Sequence, residues 1–553
     1  MKTRSGISKL AIAIIVVIIV IIAGVAIYML TAAPGAPAKP LTLVYATTQA
    51  TMSFDPTDHA DETTTICVVN TYDPLFYPQK GKPPKPWLVT EWSVSDDGLV
   101  WTFKIREGVK FHTGRELTAE DVAFSINREL TIKKGMSYLW VGVIDHAEAV
   151  DKYTVKFYLK KPYAELPATL VHLFIVDKEE VMAHIKKPGP YGEYGDYGKE
   201  WLLEHDAGSG PFKVVEVKKG EKIIFEAFKD YWHAKETYGG WPDKAPERVE
   251  YYVYGEQPTL VTLLRGGKVD IVEQWLPPAT FAELKKEAGI VVKEDPDVKL
   301  FFVSMHNQKP PFDDVWVRRA VSYVVNYKEI IDTVFLGGVQ AIGPVPLAAP
   351  GHNDELTPYE TNLDKAIECL KKSKYWDRFR TGEGFTVTYM YVSGLESERM
   401  VGELLKKYLA QLNITVEFKP EKWATMCELM SSPETCPHMV AIFHTLKYPS
   451  PDCHTYLMFH STAWGTFMSC MFYKNPEVDS LLDQARATPD QAQRYQLYKQ
   501  VQEIVYDEAA ALFLVNPLHR IAYRDWVKNY EYIGLLGYDL NFYYLRLEGK
   551  PTG

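Results

Sequence analysis

The chain has 553 residues, more than one hydrophobic core is usually built from, so at least two lobes are expected. Hydrophobic residues at 46% and charged residues at 24% are ordinary globular usage, which excludes both a disordered chain and a polytopic membrane protein. A net charge of −10 without long runs of Lys or Arg argues against nucleic acid and polyphosphate as partners.

Leu10 to Leu30 is a run of 21 residues without a charge, rich in Ile and Val, which as a helix spans a hydrocarbon core of about 30 Å. Lys2, Arg4 and Lys9 precede it, so the basic flank is expected in the cytoplasm and the rest of the chain outside. A secretory signal has a shorter apolar core. The expectation is therefore a single-pass anchor in the cell membrane with the folded part of the chain on the extracytoplasmic side, a cleaved signal being the alternative. Arg4-Ser5-Gly6-Ile7-Ser8 resembles the processing site of archaeal pilin-like signals, which retain the hydrophobic segment. No Cys occurs before Cys67, so a lipid anchor on an N-terminal Cys has no attachment residue.

Thr31 to Pro40 is small and Pro-rich and reads as a stalk, with folding starting at Leu41. In Val100 to Arg106, Trp101, Phe103 and Ile105 share one face of a half-buried strand. Thr118-Ala119-Glu120-Asp121 opens a helix through a capping residue with a carboxylate three positions on. Gly208-Ser209-Gly210-Pro211-Phe212 reads as a tight turn into a strand; the Pro removes an amide that a phosphate loop needs. Phe385 to Tyr391, Ser397 to Leu412 and Ile414 to Phe418 predict a strand, a helix and a strand paired in parallel. Thr488-Pro489-Asp490-Gln491 predicts a further helix start, with Pro489 at its first position. The fold class is α/β, and no repeat of 20–50 residues points to a solenoid or propeller.

Motifs of catalysis are missing: there is no GxSxG, HExxH, Walker-type loop or GxGxxG opening a helix. The expectation is a protein that is not an enzyme and holds no cofactor or metal; a secreted hydrolase on a two-lobed fold is the alternative of another class. His438, His444, His454 and His460 are the nearest approach to a histidine cluster. Four of the six cysteines, Cys427, Cys436, Cys453 and Cys470, crowd one region and are expected to pair as disulfides in an oxidising compartment, scattered buried thiols being the alternative.

The stretch Thr90-Glu91-Trp92-Ser93-Val94-Ser95-Asp96-Asp97-Gly98-Leu99-Val100-Trp101-Thr102-Phe103, continuing through Phe111-His112-Thr113-Gly114 into Leu117-Thr118-Ala119-Glu120-Asp121-Val122, closely resembles the signature of family 5 solute-binding proteins. These are the dipeptide, oligopeptide and nickel binders of ABC importers. Phe54-Asp55-Pro56, Tyr72-Asp73-Pro74-Leu75-Phe76, Gly208 to Phe212, Leu264 to Ile271, Pro310 to Ala320 and Asn475 to Asp479 follow in the family's order. The resemblance runs from about Leu41 to the C-terminus.

The resemblance implies a two-lobed periplasmic-binding-protein-like clamp of class II, cluster C type, with an inserted domain and hinge strands near residues 300 and 510. Residues 1–30 are then the anchor or pilin-like signal and 31–40 the stalk. Lobe I is 41–84 with 205–300 and 510–553, the inserted domain is 85–204, and the second lobe is 301–509. The implied function is capture of oligopeptides, with oligosaccharides as the alternative ligand, by a monomer that delivers them to permease subunits served by cytoplasmic ATPases. Implied ligand contacts are Ala60, Asp61, Glu62, Tyr138, Trp140, Phe443, His444, Thr445 and Leu514. One position departs from the pattern: peptide binders place an Asp shortly before the Pro of this motif to pair with the peptide ammonium, and this chain has Lys447. Peptide binding then needs Asp452 or Asp61 to take the ammonium, or Lys447 to point away; in the sugar reading, Lys447 donates to a hydroxyl or a sugar acid.

Overall fold

The computed structural model describes residues 16–23, 39–51, 53–59, 61–393 and 395–551. The chain divides into two units, Met1–Leu41 and Thr42–Gly553. Within the first, residues 16–23 form a helix. No helix among the described residues is long and apolar enough to cross a membrane, which corrects the expected single-pass anchor and the membrane attachment that rested on it. The other residues of the predicted span and stalk, up to 38, lie outside the described residues, as does the pilin-like site.

Three sheets organise the second unit. A seven-stranded sheet has the order Ile290–Pro296, Leu518–Arg524, Ile271–Val272, Thr42–Thr47, Arg248–Val253, Lys222–Ala227 and Phe212–Lys218. Thr42–Thr47 is parallel to both of its neighbours, and the outer pairings are antiparallel. The turn before Phe212 is a close approach of backbones. The Gly210 amide donates to the Thr71 carbonyl at 3.0 Å, and a Cβ on Gly210 would lie 2.6 Å from the Thr71 carbonyl carbon.

A six-stranded sheet runs Val339–Gln340, Ala511–Asn516, Leu300–Met305, Met439–His444, Phe385–Val392 and Ile414–Glu421. Leu300–Met305 is apolar almost throughout because it is buried on both faces. Phe301, Val303 and Met305 join one core, while Leu300 and Phe302 join another on the opposite face. Phe385–Val392 pairs with Ile414–Glu421 in parallel, joined by the helix Glu396–Leu409, as the hydrophobic pattern predicts.

The third sheet is antiparallel, in the order Val89–Val94, Val100–Ile105, Thr154–Leu159 and Ile144–Asp151, and the helix Ala119–Ile132 packs on it. Trp101, Phe103 and Ile105 are buried as their alternation predicts. Thr118 and Asp121 form the predicted capping box. The late helix starts differently: its cap is Asp490, which accepts the Gln493 amide at 2.8 Å, and the helix is Gln491–Asp507. Thr488 instead closes the preceding helix, Pro476–Ala487, so Pro489 lies outside both.

The chain passes between the seven- and six-stranded sheets twice, at residues 297–299 and at Pro517, and the Asp297 amide donates to the Pro517 carbonyl at 3.1 Å.

All six cysteines are free, which corrects the expected disulfides. The crowded ones serve packing. Cys436 Sγ faces the Cys470 carbonyl at 3.5 Å, and Cys453 Sγ accepts the Lys447 amide at 3.2 Å.

Candidate functional site

A cavity of about 630 Å³ lies where the two passages meet, lined among others by Gln274, Trp275, Lys299, Phe443, Thr445 and His519. A smaller recess shares Gln274, Trp275 and His519 with it and adds Glu62 and Asp539. The walls are mostly apolar with a few charged groups, the usual make-up of a small-ligand site. The ring centre of Phe443 lies 4.6 Å from that of Phe301, its pairing partner on the adjacent inner strand of the six-stranded sheet.

Lys299 is a firmly anchored cation of the cavity. Its Nζ lies 3.0 Å from Asp297 Oδ2 and 5.0 Å from the centre of the Trp275 ring. Burial penalises the Asp297 carboxylate, yet Lys299, His519 and the Tyr532 hydroxyl hold its pKa below the ordinary value. Trp275 is 44% exposed, an aromatic surface open to an occupant.

Glu62 opens the helix Glu62–Thr71, and its Oε1 accepts the Gly537 amide at 3.2 Å. Burial pushes its pKa up to about 7, against the opposing pull of Lys299 and that amide. Above the ordinary value of 4.5 the unfolded chain releases this proton while the folded chain keeps it to about 7, so the residue costs stability progressively as pH rises between the two. Glu62→Gln is therefore expected to melt at the wild-type temperature near pH 4 and above it from pH 7 upward. Thermal unfolding across that range checks this.

The expected contact residues divide sharply. Phe443 and Thr445 line the cavity and Glu62 lines the recess. Asp61 is exposed and caps its helix, accepting the Thr64 amide at 2.9 Å. Tyr138 is 44% exposed. Trp140 is fully buried with its indole donating to Thr169 Oγ1 at 3.0 Å, and Leu514 is fully buried in the core under the six-stranded sheet, so neither faces the cavity. Ala60 lies outside the described residues.

His444 is buried. Its ring is 4.2 Å from that of His454, and its Nε2 is 3.8 Å from Cys453 Sγ. Burial pulls the pKa of both histidines down, His454 to about 3, so both are neutral. Among the described residues no group of three or more His, Cys, Asp or Glu is gathered to hold a metal ion. Asp452 is consumed by structure: Arg486, Tyr448 and Tyr498 all bond to its carboxylate. Lys447 is only partly buried, and the charged groups acting on it include Glu62 and Lys299.

Asp297, Lys299, Trp275, His519 and Asp539 escape the sequence reading. The one available signal is the charged stretch Glu294-Asp295-Pro296-Asp297-Val298-Lys299 that interrupts two apolar runs.

The model of the bacterial extracellular solute-binding proteins, family 5 middle region, matches residues 83–466. The dipeptide-binding protein of Escherichia coli is 28% identical over 540 residues, covering 92% of this chain and 95% of that protein. Heme-binding protein A of Haemophilus influenzae is 27% identical over 537 residues, covering 92% and 93%. Among solved structures, a periplasmic binding protein associated with an ABC transporter of Helicobacter pylori, in complex with the peptide STSA, superposes with a TM-score of 0.73 at 27% identity, covering 92% of this chain and 98% of that one. The family is described as extracellular, which replaces the single-pass membrane localisation expected from the sequence. The chain belongs to the family 5 extracellular solute-binding proteins.

Proposed function

We propose that the chain captures oligopeptides in the cavity between the seven- and six-stranded sheets, by closure of two lobes, and presents them to the permease of an ABC importer. The observation that carries this reading is the cavity of about 630 Å³ at the two chain passages, with apolar walls, an open Trp275 face and charges of both signs. The dipeptide-binding relative and the peptide-bound neighbour support peptide as the ligand class.

In this reading residues 41–84, 205–300 and 510–553 form lobe I, 85–204 an inserted domain and 301–509 the second lobe. Residues 297–299 and 517 are the hinge. Closure is a population shift that the ligand drives by touching both lobes.

A receptor that makes and breaks no bond fits the chemistry of the buried thiol–imidazole pair Cys453–His444, whose imidazole lies between Phe443 and Thr445 in the chain. Burial pushes the Cys453 thiol up to about 12, the opposite of what a nucleophilic thiolate needs.

The test is thermal unfolding of the intact chain against a panel of tri- to pentapeptides. A peptide present at a hundred times its Kd adds about 2.7 kcal/mol to the folded state. At least one peptide is expected to raise the melting temperature; a flat response across the panel overturns the reading.

A further inference from the structure

A second cavity, of about 460 Å³, lies apart from the one already described. Its walls are the antiparallel hairpin Phe76–Gln79 with Lys82–Pro86, the end of the helix Trp232–Tyr238 and the C-terminal stretch between Asn529 and Arg546. It shares no lining residue with the 630 Å³ cavity and meets the recess only at Asp539. None of its lining residues comes from 301–509, so an occupant touches one side of the proposed clamp and does not drive its closure. The volume is that of a small-ligand site.

Charge here is mostly positive. Lys80, Lys82, Lys85 and Arg546 line the cavity, and among the described residues only Lys80 has a carboxylate within ion-pair distance, Asp295 at 3.0 Å. Lys85 stands over two rings instead, its Nζ 5.0 Å from the centre of Trp87 and 5.6 Å from that of Tyr77. Arg546 donates through Nη1 to the Tyr543 and Leu545 carbonyls, and its guanidinium carbon lies 5.8 Å from the centre of the Tyr238 ring. On the acidic side, Asp539 accepts the Ile533 and Gly534 amides, and burial beside Glu62 lifts its pKa well above the ordinary value. Glu531 is then the only acidic lining residue that carries a full charge.

The rest of the lining selects among anions. Three of the five residues of Lys82–Pro86 are prolines without an amide to donate, so this wall is unfit to take a peptide as an added strand. Recognition falls to side chains. Tyr238 is 51% exposed and offers a ring face beside Arg546. The side chains of Lys82, Asn529 and Glu531 make no hydrogen bond among the described residues, which leaves them free for an occupant. A ringless anion would use neither the Tyr238 face nor Glu531, and a plain aromatic acid would leave Asn529 and Glu531 idle. A sugar ring carrying a carboxylate uses all of them: its face on Tyr238, its hydroxyls on Asn529 and Glu531, its carboxylate among Lys82, Lys85 and Arg546.

We infer that this cavity is a second binding site, separate from the peptide cavity, and that it takes an acidic sugar, a short oligosaccharide bearing uronate carboxylates.

The test is calorimetry on the full chain with digalacturonate and dimannuronate, each beside its methyl ester, and with tricarballylate as an anion without a ring. At least one uronate is expected to bind about tenfold more tightly than its ester and than tricarballylate, the span of a charge-assisted contact. Lys82→Gln with Lys85→Gln is expected to bring that uronate down to its ester; both lysines are exposed, so the variant is expected to melt with wild type. Tyr238→Ala is expected to weaken acid and ester alike. A peptide that occupies the 630 Å³ cavity is expected to leave uronate affinity unchanged. No binding of either uronate, equal binding of acid and ester, or equal binding of tricarballylate overturns the inference. So does a uronate that peptide displaces, or one whose affinity the two lysine substitutions leave unchanged, since it then sits elsewhere. The peptide reading is decided by its own panel and stands or falls apart from this one.

Discussion

Asp55→Asn is expected to lower the stability of the chain by about 3–5 kcal/mol, read from the shift of its urea unfolding curve. Asp55 comes from the Phe54-Asp55-Pro56 segment and caps the turn Pro56–Asp58 by accepting the Thr57 amide. Its two carboxylate oxygens take two bonds of 2.6 Å from Arg128, on the helix Ala119–Ile132, and Lys199 reaches one of them at 3.3 Å. Neither Asp55 nor Arg128 is more than 1% exposed. Burial alone would raise the Asp55 pKa, but Arg128 and Lys199 outweigh it and hold the carboxyl well below the carboxylate range. The ion pair therefore contributes stability above pH 4, where the unfolded Asp is ionised, and loses it as pH falls toward the folded value. The gap between wild type and Asp55→Asn is expected to shrink in acid accordingly. Asn keeps the cap but leaves a buried guanidinium without its anion. Replacing the pair together, Asp55→Leu with Arg128→Met, is expected to recover most of the loss, since the penalty belongs to the stranded charge.

Glu165→Ala is expected to weaken peptide binding about tenfold or more although it does not line the cavity. Ala164 donates its amide to the Arg486 carbonyl at 2.7 Å, and Glu165 pairs with Arg494 at 2.6 Å and accepts from the Tyr498 hydroxyl at 3.2 Å. Tyr498 in turn bonds to Asp452, which Arg486 and Tyr448 also hold. In the proposed clamp, Tyr163 to Leu166 belong to the inserted domain and the rest of this network to the second lobe. Opening would separate them and return the buried charges to water. The network then biases the closed form, and an apparent Kd is the intrinsic one divided by the closed fraction. Titrating Glu165→Ala, Arg494→Ala and the double variant with the same peptide checks this. The double variant is expected to lose less than the sum of the singles, because each single leaves one charge unpaired. Unchanged affinity in Glu165→Ala would mean that the contact persists in both forms.

What was legible in the sequence was local. The alternation of Trp101, Phe103 and Ile105, the Thr118–Asp121 capping box and the parallel pair around the helix Glu396–Leu409 each depend on neighbours within a few residues, and each is found as read. The Asp490 cap shows the limit of that approach, since Thr488 and Asp490 are both good caps and only the length of the preceding helix decides between them. The cavity itself was not legible from local pattern: Phe443 and Thr445, which line it, and Glu62, which lines the neighbouring recess, were singled out only through the resemblance. Trp140 and Leu514 went into the core because which way an apolar side chain faces is decided by tertiary packing, on which its identity is silent. Lys299 and His519 come from two passages far apart in the chain, and nothing local to either announces that they meet. The cysteines teach the same lesson: nearness along the chain is not bonding geometry.

Isothermal titration of the intact chain with the peptide that most raises its melting temperature, followed by recovery of the peptide and measurement of its mass, tests the central claim most directly. The account predicts one peptide bound per chain with a Kd near micromolar, about −8 kcal/mol, a negative heat-capacity change from the apolar surface enclosed, and a peptide recovered intact. No saturable binding, or a peptide returned cleaved, would contradict it.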